Sequence, residues 1–281
     1  MKLQYLGTAA YEGIPAIFCD CDTCREARRL GGRNIRSRSQ ALINDELLID
    51  FPADSLWHMN RYGLELYRIQ SLLITHDHSD HLYPEDLAAR GIGYGFLPEE
   101  PEKYPPLTVY QPTAAYRHTV DTAEKGTPGI LNNRLACVEI TPFVPFTTLG
   151  YTVTPLAANH SPASTPVIYA IERDGKRLLY AHDTGYFFEE TWQALSAMEP
   201  FDLVSLDCTS ILVKGVRNGH MNLETAYEVI ERMKNEHLIT EKTKIVLNHF
   251  SHNGGMNYDA LQKKVEKDGI LVSYDGMTLE F

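Results

Sequence analysis

The 281-residue sequence contains no apolar run near the ~18 consecutive residues that a membrane-spanning helix requires, so no membrane partner is expected. It is short of positive charge: 26 Lys and Arg stand against 37 Asp and Glu, a formal net charge of -11. Binding of long nucleic acid needs clustered Lys and Arg to neutralise phosphates, and is not expected here. A small phosphorylated substrate is compatible with this balance, because a bound dication inverts the local field. Cysteines number five, with three crowded at Cys19, Cys21 and Cys24, which argues against a disulfide framework. Met1–Gly7 carries no apolar signal core, so a cytoplasmic location with reduced thiols is expected. No repeat of fixed period and no low-complexity tract interrupts the chain. With 43% apolar residues, one domain spanning 1–281 is the expected organisation.

Short apolar, β-branched runs recur at 3–6, 41–43, 47–49, 72–74, 109–110, 153–156, 167–171, 178–180, 203–206, 245–247 and 270–272, each bounded by turn or polar residues. They read as buried strands. Asn44-Asp45 and Asp174-Gly175 suggest hairpin turns. The clearest helix follows Asn222, a good N-cap, and places Leu223, Ala226, Tyr227, Ile230 and Met233 on one stripe. Further helices are expected over 187–198, 258–268, 23–30 and 55–61. Residues 91–106, rich in Gly, Pro and Glu, read as a loop or lid. Packed sheets covered by helices fit this pattern.

The chemistry concentrates in Thr75-His76-Asp77-His78-Ser79-Asp80-His81, directly after a strand-like run. Three imidazoles and a carboxylate there can converge on a metal without competing for the core. Zinc, manganese and iron all accept such ligands. A catalytic metal needs positions left vacant for water and substrate, which this mixed set permits.

The H-x-H-x-D-H signature at 76–81 resembles that of the metallo-β-lactamase superfamily. The resemblance implies an α/β (α+β) fold, the αβ/βα four-layer sandwich, and supplies three further candidates: His160, Asp183 and His249. By resemblance, His76, His78 and His160 hold one divalent metal (zinc or manganese), Asp80, His81 and His249 a second, and Asp183 bridges them. Asp80 thus counts in both the metal and catalytic sets. Asp50 and Asp207 are candidates for orienting ligand imidazoles from behind. Diiron flavoproteins of the superfamily carry Glu where His78 stands, so hydrolysis is expected over oxygen reduction. His182 is left out of the site, since strand alternation aims it away from Asp183.

Thiolates at Cys19, Cys21 and Cys24 fit a tight zinc-binding loop lacking one ligand, for which His252 is the candidate. Together with Gly7-Thr8-Ala9, Gly13-Ile14-Pro15, Leu48-Ile49-Asp50, Asp183-Thr184, Leu206-Asp207-Cys208 and Tyr274-Asp275-Gly276-Met277, this cluster is similar to the PhnP family of cyclic phosphodiesterases. That resemblance implies a structural zinc on the three cysteines and His252. It also implies a proton-donating role toward the leaving oxygen for His220, which lies just before the helix that follows Asn222. Pro84, where a Gly is common, and Phe51-Pro52 after Asp50 depart from the pattern beside the pocket.

The expected reaction is hydrolysis of a small cyclic or nucleotide-like phosphodiester by a metal-bridging hydroxide. Hydrolysis of a lactone or thioester is the alternative, as is a non-catalytic carrier like the PqqB-type proteins, which share the cysteine loop. Expected partners are a small phosphorylated substrate and, for assembly, a second copy of the chain.

Overall fold

The computed structural model describes residues 1–91, 93–98 and 103–281. Its fourteen strands form two sheets. The first sheet contains β1 (Lys2–Gly7), β2 (Gln40–Ile43), β3 (Leu47–Ile49), β4 (Ser71–Leu73), β5 (Leu107–Gln111) and β6 (Leu135–Glu139). The second contains β7 (Phe146–Thr148), β8 (Tyr151–Ala157), β9 (Val167–Arg173), β10 (Lys176–Ala181), β11 (Leu203–Asp207), β12 (Lys244–Asn248) and β13 (Ile270–Val272). The last strand, β14 (Thr278–Glu280), returns to the first sheet beside β1. The strand orders are β14-β1-β2-β3-β4-β5-β6 and β13-β12-β11-β10-β9-β8-β7.

Each sheet is antiparallel in one part and parallel in the other. Strands β3 to β6 run parallel to one another, as do β10 to β13. Both expected hairpin turns form. Asn44 and Asp45 take positive φ between β2 and β3, as do Asp174 and Gly175 between β9 and β10. Two successive left-handed residues give a turn whose twist matches that of the strands.

Period-2 alternation explains the layering. From the first sheet, Leu3, Tyr5, Leu47 and Ile49 face inward to meet Val167, Tyr169, Ile171 and Leu178 of the second. Leu6, Leu48 and Leu72 point outward, against Leu87 of α3 (Pro84–Ala88) and against Ala115 and Ala123 of α4 (Thr113–Gly126). On the far side, Ile168, Leu179, Val204 and Leu247 pack under α5 (Glu189–Ser196), α6 (Leu223–Asn235) and α7 (Tyr258–Val265). The remaining helices are α1 (Asp22–Leu30) and α2 (Ser55–Tyr62). The architecture is the four-layer αβ/βα sandwich.

Helix α6 begins as expected, with Asn222 Oδ1 accepting from Thr225 N at 2.8 Å. One part of its expected stripe needs correction. Tyr227 is 36% exposed, and Val229 is buried in its place. At 100° per residue Tyr227 falls on the stripe's edge, where its hydroxyl reaches Asp268 instead. The expected lid at 91–106 is only partly described, since 92 and 99–102 lie outside the described residues. Among its neighbours, Tyr94 and Phe96 are exposed. No helix among the described residues is long and apolar enough to cross a membrane.

Candidate metal centre

Loops at the ends of six strands meet along one edge where the two sheets face each other. The loop after β4 brings His76, His78, Asp80 and His81, and the end of β3 brings Asp50. From the second sheet come His160 after β8, Asp183 after β10, Asp207 and Thr209 at the end of β11, and His249 after β12. Crevices outside the carboxyl ends of strands are where open α/β sheets bind ligands. Asp50, Asp183 and His249 take positive φ of 63°, 54° and 62°. Asp and His tolerate this left-handed region better than most residues, and it turns each side chain sharply off its strand.

The seven candidate ligands fall into two groups sharing one carboxylate. His76, His78, His160 and Asp183 offer donor atoms within 4.8 Å of one another, and so do Asp80, His81, Asp183 and His249. Asp183 Oδ2 lies 3.1 Å from both His76 Nε2 and His81 Nε2, 3.7 Å from His160 Nε2 and 3.8 Å from His249 Nε2. Asp80 Oδ2 is 3.5 Å from His81 Nε2 and 3.9 Å from His249 Nε2. His76, Asp80, His81, Asp183 and His249 are all buried.

Hydrogen bonds behind the rings decide which nitrogens carry lone pairs. His81 Nδ1 meets Asp50 Oδ2 at 2.7 Å and therefore bears the proton. His160 Nδ1 meets the Gly219 carbonyl at 2.8 Å. Thr209 Oγ1 donates to Asp207 and accepts from His249 Nδ1, both at 2.9 Å. Thr75 Oγ1 likewise donates to Asp50 at 3.0 Å and accepts from His76 Nδ1 at 3.0 Å. All four Nε2 atoms are thus left with lone pairs turned inward.

Lone pair then faces lone pair at His81 Nε2 and His249 Nε2, 3.1 Å apart, and His78 Nδ1 lies 3.2 Å from His160 Nε2. His76 Nε2 is buried with no hydrogen-bond partner, and around it nitrogen faces nitrogen and carboxylate without a donor between them. Such orphaned acceptors are costly unless a cation satisfies them. The donor set fits a pair of divalent metals. Charge balance agrees. Burial resists a charge on His81, yet the crowded carboxylates of Asp50, Asp80 and Asp183 raise its pKa well above 6.5, an excess of negative charge that a cation on Nε2 would neutralise in place of a proton. Burial pulls His76 down to about 4 and also lowers His78 and His249, keeping them neutral as ligands must be.

His220 stands on the wall of the same cavity, with Nδ1 at 3.0 Å from Asp183 Oδ1 and 3.4 Å from Asp207 Oδ2. Burial opposes its charge, but those two carboxylates push its pKa up to about 11. Asp50 supports a ligand imidazole directly, whereas Asp207 reaches His249 through Thr209. Thr75, Thr209 and the Gly219 carbonyl were not singled out from the sequence. The one available signal was a hydroxyl residue close after a strand end. His182 points away, bonded to Ser205 Oγ at 2.7 Å, with its ring tilted against that of Tyr180 at 3.9 Å between centroids.

The cavity measures about 370 Å³ and is open to solvent on one side. Ala10, Tyr11, Glu12, Ser210, Ser251 and Asn253 form its outer wall. Behind that wall, Cys19, Cys21, Cys24 and His252 bring their donor atoms within 4.8 Å of one another. His252 Nδ1 lies 3.5 Å from Cys19 Sγ and 3.4 Å from Cys21 Sγ. Although burial acts against it, hydrogen bonds from the Cys24 amide and His252 bring the Cys21 thiol down to about 6. Three sulfurs and one imidazole make a four-donor set of the kind that holds structural zinc.

A sequence model described as β-lactamase superfamily domain matches residues 48–241. In three dimensions the chain is similar to Zn(2+)-bound PqqB from Methylobacterium extorquens, with TM-score 0.76 and 20% identity over all of both chains. It is also similar to a diphosphatase from the PhnP family, with TM-score 0.74 and 19% identity over 100% of this chain and 97% of that one. The short form of human tRNase Z gives TM-score 0.66 and 16% identity over 100% of this chain and 99% of the other. At such identities the likeness is one of fold. No match was found among curated proteins by sequence.

Proposed function

We propose, from the premise that this chain belongs to the metallo-β-lactamase superfamily of hydrolases, that it is a two-metal phosphodiesterase acting on a small cyclic or nucleotide-like diester. The observation that carries this reading is the inward turn of the lone pairs of His76, His160, His81 and His249 around the shared Asp183, at the floor of an open cavity. Two divalent cations, zinc or manganese, held by those residues would polarise a phosphorus–oxygen bond and acidify bound water.

The chain's own residues supply the rest. Asp183, common to both groups, fixes the spacing between them. Asp50 and the Thr209–Asp207 pair hold His81 and His249 in one tautomer, so no ring must reorganise as charge develops. His220 has its Nδ1 turned to the Asp183 and Asp207 carboxylates, which orients the ring and leaves Nε2 as the nitrogen for proton delivery to the leaving oxygen. The diphosphatase of the PhnP family, similar in fold, supports cleavage at phosphorus.

A second reading, hydrolysis of a lactone or thioester, is favoured by one feature: among the described residues no Lys or Arg lines the cavity, so a neutral ester is not disfavoured. Both readings are tested together by elemental analysis of protein purified without added metal, paired with a panel of diester, monoester, lactone and thioester. About three metal equivalents per chain and turnover of the diester are expected. Turnover of the lactone or thioester alone transfers the function to that bond. Metal binding with no turnover at all leaves a non-catalytic metal-binding carrier instead.

A further inference from the structure

The outer wall of the cavity is built from the segment that leads into the cysteine cluster, and that segment offers two unlike contacts side by side. Tyr11 lines the cavity with its ring 59% exposed. Its backbone is fixed, since Arg38 Nε donates to the Tyr11 carbonyl at 2.7 Å and Arg38 is paired with Asp54 at 3.2 Å. Glu12, next along, also lines the cavity. Its carboxylate accepts from Ser251 Oγ and lies 3.6 Å from His252 Nε2, so it is held by the residue pair that carries the fourth candidate zinc ligand. No hydrogen bond to Glu12 beyond that of Ser251 is found among the described residues, which leaves carboxylate acceptor capacity facing the cavity.

We infer that Tyr11 and Glu12 are the specificity-determining residues of this site: the Tyr11 ring takes a planar group flanking the scissile bond, and the Glu12 carboxylate accepts a hydrogen bond from an N–H or O–H on that same flank. The inference rests on the diester reading and deepens it. Charge supports the division of labour. Positive potential belongs mainly to the cavity floor, where the metals fit; the rim offers the Glu12 carboxylate and the Tyr11 ring, over one face of which the Arg38 guanidinium lies 5.4 Å from the centroid, leaving the other face for a planar group. A diester carries its single negative charge to the floor and can present a neutral, donor-bearing group to the rim. A second phosphate on that flank would meet Glu12 and be rejected. An aromatic platform tolerates any planar ring, whereas a site built to accept a hydrogen bond discriminates sharply against an analogue lacking the donor. The cysteine cluster then has a second consequence besides holding the fold: through His252 and Ser251 it sets where the selecting carboxylate stands.

The test uses two substrates that release the same 4-nitrophenolate, thymidine 5′-(4-nitrophenyl) phosphate and methyl 4-nitrophenyl phosphate, so that the chemistry cancels in their ratio. The zinc-loaded wild type is expected to favour the thymidine ester by about tenfold or more in kcat/KM. Glu12→Ala and Tyr11→Ala should each shrink that ratio several-fold, mainly through KM. Isothermal titration with thymidine 5′-monophosphate and methyl phosphate reads the same preference without turnover and should show the same loss. A ratio left unchanged by both variants, or a wild type with no preference, overturns the inference. A variant that slows both esters equally assigns its residue to structure and also overturns it. Failure of the wild type to cleave either ester refutes the diesterase reading instead, and the titration then decides the rim by itself.

Discussion

At Asp183 the two donor groups overlap, and one carboxylate stands within 4 Å of five imidazoles, those of His76, His81, His160, His249 and His220. Asp183→Asn keeps the size and tolerates the left-handed backbone, so it removes charge without adding strain. The expected result is loss of metal on dialysis and a fall in kcat on the order of a thousandfold, read by elemental analysis and initial rates. Thr209→Val tests a smaller effect. Removing the hydroxyl between Asp207 and His249 should weaken metal affinity or activity about 10–100-fold, read by competition with a chelator. These two positions differ in how legible they are. The 76–81 signature can be read because its donors are local, and Asp183 because a resemblance orders it after them. Thr209 could not be read. A hydroxyl's role depends on which ring it meets across a strand gap, and spacing along the chain carries no trace of that.

Among elements, three loops of the second sheet are tied to one residue beside a ligand. The Asn159 carbonyl accepts from Gly185 N at 2.7 Å and Gly219 N at 3.1 Å, joining the loops of His160, Asp183 and His220. Gly185 has no room for a side chain, since an added Cβ would sit 2.3 Å from the Arg217 carbonyl. Gly185→Ala should therefore push the Asp183 and His220 loops apart, reducing kcat at least about tenfold while Tm falls only a few degrees. Cys21→Ser should do the reverse. Untying the 19–24 loop from the end of β12 should lower Tm by about 10 °C or more, measured by calorimetry, with zinc stoichiometry reduced by one. Element legibility followed the same physics. The three strands not anticipated, β6, β7 and β14, all lie at sheet edges, where one flank is unpaired and the apolar run is short. Helix α4 was missed because its buried positions, Ala115, Thr119 and Ala123, are small and give no apolar stripe.

For the molecule as a whole, acid sensitivity has a source outside the metal centre. His58 is fully buried, with Nδ1 at 2.6 Å from Gln40 Oε1 and Nε2 at 2.7 Å from Ser37 Oγ. Burial lowers its pKa to about 4. A depressed histidine stabilises the fold fully above the unfolded value of 6.5, and that stability is lost as pH falls toward 4. The difference amounts to roughly 3 kcal/mol. His58→Gln should be weaker than wild type at pH 7 but lose about 3 kcal/mol less between pH 6.5 and 4, as measured by urea unfolding. An equal loss in both proteins would place the acid sensitivity elsewhere.

The candidate ligands hang from both halves of the sandwich: His76, His78, Asp80 and His81 from one sheet, His160, Asp183 and His249 from the other. Ions held from both sides would act as a clasp at one end of an otherwise oily seam. Metal occupancy and the rigidity of that end are then a single equilibrium, each reporting on the other. Stripped of its ions, the chain should breathe there first. Amides near 74–82 and 181–185 should exchange hydrogen faster, while the opposite end, where Met1 and Phe281 are joined, keeps its protection.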